Sequence, residues 1–568
     1  MISNLSVVRS RAASALFLVS AAIMTGVLLW AHHLPKVGSF AGLTPIFFVL
    51  FTFFDYYAAM GLLLALIAAA LLPARVSLHP LTRWAGEHPL AIALVSTATL
   101  TAGALLVYRS HPLAMDEYAQ YFQSQVFAAG RLSGHFPPAL LDWLIPHGFQ
   151  DYFLAVSPAT GQVVSAYWPS FALLLTPFTF LGIPWACNPV ISGLTVLVIH
   201  RLALHLFEDI ETAGLAVLLT VASPVFFGEG ISYYSMPAHL LLNGVYALLL
   251  LRPTGGRAAL AGFVGSIALT LHNPVPHILF ALPWIVWLLR RSGGVRIVGL
   301  MLAGYLPLCL ILGFGWFWFT GQIMNGGAHT VSAAALSLDF HRIAISFSLP
   351  SGTLLFARLI GIAKICAWAV PVLPVLAGVG AWKSRHNPFC RLLLASALLT
   401  LLGYLFVPVD QGHGWGYRYF HSAWLALPLL GASALARVPG TRTAASLFED
   451  ADTHTFVVAC ILATFIGGVA VRAAQMHEFM SDDLSQLPAY AGTERHIELI
   501  DATVAFYGAD LVQNDPWLRG STVRMLSQGA AANAAMMRKY FPTFHRVFAD
   551  HHGWVWSSAA PSVAAAKP

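Results

Sequence analysis

The sequence predicts an all-α polytopic membrane protein that ends in a small soluble α/β domain. Three observations carry that reading. Of 568 residues, 58% are hydrophobic and 10% are charged; apolar runs near the roughly 20 residues needed to cross a bilayer recur along most of the chain; and charged residues return in density only after about position 472. The net charge of +6 comes from basic residues scattered singly between apolar runs. That pattern reports membrane topology and excludes a nucleic-acid surface. Five cysteines (Cys187, Cys309, Cys366, Cys390 and Cys460) lie in or beside apolar segments without metal-ligand or framework spacing, as buried free thiols do.

The first apolar run, Ala12 to Leu34, follows Arg9 and Arg11. It exceeds the roughly 7–15 residues of a secretory signal core, so it reads as an uncleaved span. Further runs centre on 43–72, 88–109, 186–206, 213–229, 237–252, 258–272, 275–290, 296–319, 353–381, 391–408, 421–437 and 454–472, which makes about thirteen transmembrane helices. With the N-terminus inside, fifteen Lys and Arg fall in cytoplasmic connections and seven on the opposite face, the C-terminal tail excluded. This positive-inside bias places 110–185, 229–237, 320–352, 409–421 and everything after 472 outside the cytoplasm. Four regions result: accessory spans over 1–87, a transmembrane module over 88–472, an extracytoplasmic domain over 473–556, and a disordered tail over 557–568.

The first outer loop reads as two or three amphipathic surface helices. From Asp116 to Ala129 one face carries Tyr118, Tyr121, Phe122, Val126 and Ala129 and another carries Asp116, Gln120, Gln123 and Phe127, up to Gly130. Such a helix suits the headgroup layer. The apolar piece Tyr167 to Gly182, interrupted by Pro169 and Pro177, breaks the parity of spans and reads as re-entrant or interfacial. In the tail, Thr503 to Gly508 reads as a strand, Gln513 to Pro516 as a turn and Ala530 to Tyr540 as a helix.

Chemistry is expected at Asp116 and Glu117, an acidic pair directly after a span, where charge is costly. Helix capping is the alternative, because Asp and Glu both suit a first turn. In Asp410-Gln-Gly-His-Gly-Trp-Gly-Tyr-Arg-Tyr-Phe-His421, glycines let backbone approach a ligand and Arg418 can fork to phosphate oxygens. Arg, Tyr and Trp at a span end also serve as interfacial anchors. Lys364 lies deep in a span, facing an anion or snorkelling to the headgroups. No phosphate-cradling glycine loop for a nucleotide occurs.

The order MDEYAQYFQSQVFAAGRL (115–132), YWPSFALLLTPFTFLG (167–182), VLVIHRLALHLF (196–207), the return through SYYSMPAH (232–239) and YRYFHSAWLALPLL (417–430) resembles the GT-C glycosyltransferases over roughly residues 88–440. That superfamily includes protein O-mannosyltransferases and the lipid A aminoarabinose transferase. The resemblance implies a bacterial inner-membrane enzyme that takes a sugar from a polyprenyl-phosphate carrier on the periplasmic side and inverts the anomeric centre. Asp116 matches the family's catalytic aspartate, with Glu117 as its helper. Arg418 and Tyr419 match an arginine-tyrosine pair near the carrier phosphate, where His239 and Lys364 are further candidates. Tyr118, Tyr234, His272, His277, His413 and Trp415 are candidates for the substrate cavity.

Many family members carry a second acidic residue where this chain has His239, and that departure leaves metal dependence open. A magnesium or manganese ion could be shared by Asp116, Glu117 and His239, with His239, His272 and His277 equally suited to line the cavity as neutral groups. The partners implied are the bilayer, the lipid-linked sugar and a glycan, lipid or protein acceptor. A lipid-linked sugar flippase or transporter, and a polymerase or ligase of lipid-linked glycans, are the alternatives. The former predicts internal repeats, and none is evident.

Overall fold

The computed structural model describes residues 18–19, 22, 25–26, 29–30, 50–71, 76–325, 349–408, 411–435, 451–504 and 507–558. Most of the expected first span, most of the loop 320–352, Asp410 and most of the tail 557–568 lie outside them. The chain divides into two compact units. One draws on the described residues up to Leu105, on Asn188–Leu310 and on those between Ser337 and Gln475; the other on Leu106–Cys187, Ile311–Leu336 and the residues from Met476 onward.

Among the described residues five helices are long and apolar enough to cross a membrane: Pro89–Leu106, Pro184–Phe207, Gly294–Met324, Pro388–Phe406 and Thr453–Ser485. The pair Ile210–Val221 and Pro224–Gly230, bent by 62°, makes a sixth if counted as one span. Other expected spans are apolar helices of modest length. Met236–Leu250, Gly255–Leu269 and Val275–Leu289 have 15 residues each, about 22 Å of helix against a hydrocarbon core of about 30 Å. The count of thirteen is therefore not reached among the described residues.

One expected span is two helices. The run 353–381 divides into Gly352–Ala367 and Leu373–Lys383, with a break at Trp368–Val372 that contains Pro371. Proline disfavours helical backbone at the preceding residue. The bend at Ser223 has the same origin, because Ser223 is extended (φ −77°, ψ 123°) ahead of Pro224. The two breaks satisfy each other. Val225 N donates to Trp368 O (3.0 Å) and Val370 N donates to Ser223 Oγ (3.3 Å), so backbone groups freed inside an apolar layer find protein partners.

Charge inside this unit is neutralised locally. Asp55 receives Lys364 Nζ at 3.2 Å and Arg472 Nη1 at 2.9 Å. Trp368 Nε1 donates to the same carboxylate at 2.6 Å, and the Arg472 guanidinium lies 4.1 Å from the Trp368 ring. All three charged side chains are at most 2% exposed. Removing one member of a buried ion pair strands its partners at a cost of about 3–5 kcal/mol. Asp55→Ala is therefore expected to lower the thermal midpoint of the purified protein well below that of Leu64→Ala, which truncates an exposed apolar side chain.

In the second unit, helix α1 (Met115–Ala128) leads into a three-stranded antiparallel sheet of β1 (Gly134–His135), β2 (Leu154–Val156) and β3 (Gln162–Ser165) in the order β1-β3-β2. Helix α2 (Ser170–Phe180) follows. Its 11 residues span about 16 Å, too little to cross the bilayer. A second sheet combines β4 (His496–Ile500), β5 (Thr522–Leu526), β6 (His545–Asp550) and β7 (Gly553–Ser557) in the order β5-β4-β7-β6, with α3 (Ala530–Tyr540) before β6. β4 and β5 are parallel, His496 opposite Thr522, and the other pairs are antiparallel.

Three expectations change here. The first outer segment contains a sheet as well as helices, because Val163 and Val164 form a hairpin with Leu154–Val156 across a turn closed at Gly161. The strand expected at 503–508 lies instead at His496–Ile500. Asp501 Oδ1 accepts from Thr503 N (3.0 Å) and Thr503 Oγ1 (2.6 Å), a local turn that ends β4. Helix α1 is not a surface helix. Tyr118, Phe122 and Val126 share one hydrophobic cluster with Phe136, Trp143, Val156 and Val163 and with Ile497, Leu499, Val523, Met525 and Met537. Its polar side is covered too, as Gln123 Oε1 accepts from Ser165 N (3.0 Å) and Ser124 pairs with Thr179 (2.8 Å).

Candidate functional site

The acidic pair occupies the first turn of α1, and its two carboxylates have different surroundings. Glu117 is fully buried. Its Oε1 accepts from Tyr108 Oη at 2.9 Å and its Oε2 from Leu113 N at 2.5 Å, so the side chain turns back to satisfy an amide just before the helix. Asp116 is partly exposed. Its Oδ1 accepts a short hydrogen bond from the Tyr167 hydroxyl. Tyr167 is held in turn by Trp316 Nε1, which donates to its carbonyl at 2.8 Å. Trp316 also packs on Phe127 of α1, ring centroids 5.7 Å apart. Tyr118 points the other way, into the hydrophobic cluster, with its hydroxyl donating to Asn514 O at 2.6 Å.

Next to this turn, His111 is held neutral. Burial, reinforced by the Arg524 cation, lowers its pKa from 6.5 to about 4. The unfolded chain binds a proton between those values that the folded protein refuses, so folded stability falls as pH drops from 6.5 towards 4. Thermal unfolding of the wild type and of His111→Gln at pH 7.5 and 4.5 should show the larger acid loss in the wild type.

In the first unit, the turn before Met236–Leu250 meets the glycine-rich segment 411–421. The Arg418 guanidinium lies 4.2 Å from the centre of the Tyr234 ring, a cation-π contact. Its Nη2 donates to Gln411 O, and its backbone N donates to Gln411 Oε1 at 3.0 Å. Gly412, Gly414 and Gly416 all adopt positive φ (60°, 121° and 64°). A Cβ on Gly414 would meet Arg418 Cδ at 2.4 Å, so glycine there is what lets the arginine fold over its own loop. Asn188 Nδ2 fixes the facing turn by donating to Ser232 O (2.7 Å) and Tyr234 O (2.8 Å). Tyr419 stacks on Tyr404 at 4.3 Å with Arg358 over its ring at 5.0 Å. Arg358 donates to Tyr404 O (3.0 Å) and Val407 O (2.7 Å).

The histidines divide. His277 bonds Asn243 Oδ1 (2.7 Å) and Tyr305 Oη (2.6 Å) through its two ring nitrogens. His239 is fully buried, and neither ring nitrogen has a hydrogen-bond partner among the described residues. It lies within electrostatic reach of His272, His277 and His421. His413 and Trp415 are buried in the glycine segment, Trp415 6.2 Å from Trp368. Lys364 lies in the Asp55 cluster. Among the described residues no three His, Cys, Asp or Glu side chains converge to hold a metal ion.

Arg418 and Tyr234 are thus brought together, as are His239, His272 and His277. Sequence reasoning missed Asp55, Gln411, Asn188 and Tyr167. Asp55 alone carried a usable signal, as a lone acid in an apolar run. Gln411 and Asn188 act through single backbone contacts that no local pattern announces.

No family model and no curated protein sequence matches the chain. Among solved structures, ArnT from Cupriavidus metallidurans bound to undecaprenyl phosphate superposes with a TM-score of 0.52 at 12% identity, over 84% of this chain and 99% of that one. The apo state of ArnT gives 0.49 at 11% identity, over 83% and 97%. The fold of this chain is that of ArnT, the GT-C fold that the order of motifs implies.

Proposed function

We propose that this protein is an integral membrane glycosyltransferase that moves a pentose or hexose from a polyprenyl-phosphate carrier to an acceptor hydroxyl, with inversion, on the periplasmic face of a bacterial inner membrane. The observation that carries this reading is the fold, shared over nearly the whole length of ArnT, a protein whose structure holds undecaprenyl phosphate. Asp116 is the general base. The acceptor hydroxyl gives its proton to the Asp116 carboxylate while its oxygen attacks the anomeric carbon opposite the carrier. The bond from that carbon to the phosphate oxygen breaks, and the lipid phosphate leaves with the electron pair. The hydrogen bond from Tyr167 to Oδ1 orients the carboxylate.

The departing phosphate needs positive charge and donors more than it needs an acid. Arg418 supplies them, pre-oriented by Gln411 and Tyr234, with Tyr419 and His239 as further phosphate-side groups. Lys364 remains a candidate for that role only by releasing Asp55. A divalent cation, magnesium or manganese, would supply charge to the leaving phosphate; Glu117 is poorly suited to hold one, since it already serves Tyr108 and Leu113.

Purified protein in nanodiscs, offered undecaprenyl-phosphate-linked pentoses and hexoses carrying a radiolabel, should release or transfer the labelled sugar. Movement of label across sealed vesicles with the sugar-phosphate bond intact would instead establish a flippase. Asp116→Asn, which keeps an acceptor for Tyr167, is expected to slow transfer by about 100- to 10,000-fold. Arg418→Ala should cost about 100- to 1,000-fold. Transfer by Asp116→Asn at the wild-type rate would remove the base assignment.

A further inference from the structure

The geometry points to the C-terminal segment Asp510–Pro516 as a positioning device for Asp116, a role that rests on reading Asp116 as the base. The start of α1 is built for an outside partner. Its N-cap is Ala114, extended (φ −131°, ψ 164°) and without a side chain that can accept a hydrogen bond. Alanine is among the poorest caps, and the first amides of a helix need acceptors. Glu117 serves Leu113 N, before the helix. The first helical amide, Met115 N, donates at 2.9 Å to Asp510 Oδ1, which lies 395 residues later in the chain. A carboxylate there also suits the positive end of the helix dipole.

The same segment grips α1 and its approach at other points. Tyr118 Oη donates to Asn514 O (2.6 Å) and accepts from Asn514 N (2.8 Å), a two-way clasp. Gln513 Nε2 donates to Pro112 O at 2.9 Å, and His135 N donates to Pro516 O at 2.8 Å. Asp510 and Asn514 are 5% and 6% exposed. The segment is itself tied to β5, because Asn514 Nδ2 donates to Arg524 O and Arg524 N donates to Asn514 Oδ1, both at 2.8 Å. Pro112, Met115 and Tyr118 bracket Asp116 in sequence. Each is anchored to a segment that the sheet holds still, and the carboxylate between them inherits that anchoring.

Asp510 and Asn514 are therefore positioning residues. They reach Asp116 only through the backbone and through Tyr118. A misplacement of about 1 Å at a reacting group can cost about 100-fold in rate.

The test uses full-length protein in nanodiscs with Asp510→Ala, Asp510→Asn, Tyr118→Phe and Asp116→Asn. Hydrogen exchange is followed over residues 111–120, and kcat and donor KM are measured with the radiolabelled undecaprenyl-phosphate sugars. Asp510→Ala should speed exchange in the first turn of α1 while exchange in Gly255–Leu269 stays unchanged. Its kcat should fall about 10- to 100-fold with donor KM within about twofold. Asn keeps an acceptor for Met115 N, so Asp510→Asn should restore most of both. Should Asp510→Ala fail to fold, Tyr118→Phe decides the matter, since it keeps the ring in the core and loses only the clasp; a several-fold fall in kcat supports positioning. Wild-type exchange and kcat in Asp510→Ala, or full kcat in Tyr118→Phe, would overturn the proposal. An inactive Asp116→Asn beside a fully active Asp510→Ala removes positioning alone, whereas an active Asp116→Asn removes the base assignment.

Discussion

A helix that begins on alanine leaves its first amides to be satisfied from elsewhere, and much of the second unit is arranged around that requirement. Asp510 comes forward to the first amide, Met115 N, while Glu117 bends back to Leu113 N just before the helix and Asn514 clasps the Tyr118 hydroxyl. Each of these contacts is buried, where an unmade hydrogen bond costs far more than a made one contributes. The first turn of the helix is consequently held by buried hydrogen bonds, and Asp116 within it is partly exposed. Fraying there would blur the position of the carboxylate; the surrounding hydrogen bonds prevent it.

The first unit solves a related problem without water. Prolines break two of its helices, and the amides and carbonyls released at one break are taken up at the other. Its charges are handled in the same spirit. Asp55 collects Lys364 and Arg472, Arg358 spends its donors on carbonyls at the end of a helix, and Arg418 lies on an aromatic ring with its own loop as acceptor. Arg358 and Arg418 thus both rest on backbone carbonyls and aromatic rings, whereas Lys364 and Arg472 share a carboxylate.

The class of protein was readable in composition and in the order of short motifs, because apolar run length and sidedness are properties of single segments. Residues that work through their own neighbours were readable too: the glycines at 412, 414 and 416 and the acidic first turn of α1. What escaped were partnerships between distant segments. Tyr167 looked like the edge of an apolar piece, yet its hydroxyl reaches Asp116. Thr503 to Gly508 had strand composition, yet Asp501 turns the chain at Thr503 and the strand that is seen ends at Ile500. Glu117 was expected as a helper to Asp116, but it is fully buried with its carboxylate taken by Tyr108 and Leu113. The run 353–381 read as one span, and the break that holds Pro371 divides it into two helices. Helices packed inside a bundle can be shorter than the bilayer, and proline can divide an unbroken apolar run.

The shared hydrophobic cluster of the second unit bears on how the molecule is made. Phe122, Phe136 and Val163 close their core against Ile497, Val523 and Met537, which leave the ribosome more than three hundred residues later. At about 5–20 residues per second, the early half waits on the order of tens of seconds with an apolar face uncovered. During that interval the membrane surface or a chaperone must shield it, and a chain that stops short of the second sheet would carry an unfinished core around its acidic helix. Asp510 and Asn514, made nearly four hundred residues after Asp116, thus complete the surroundings of its turn.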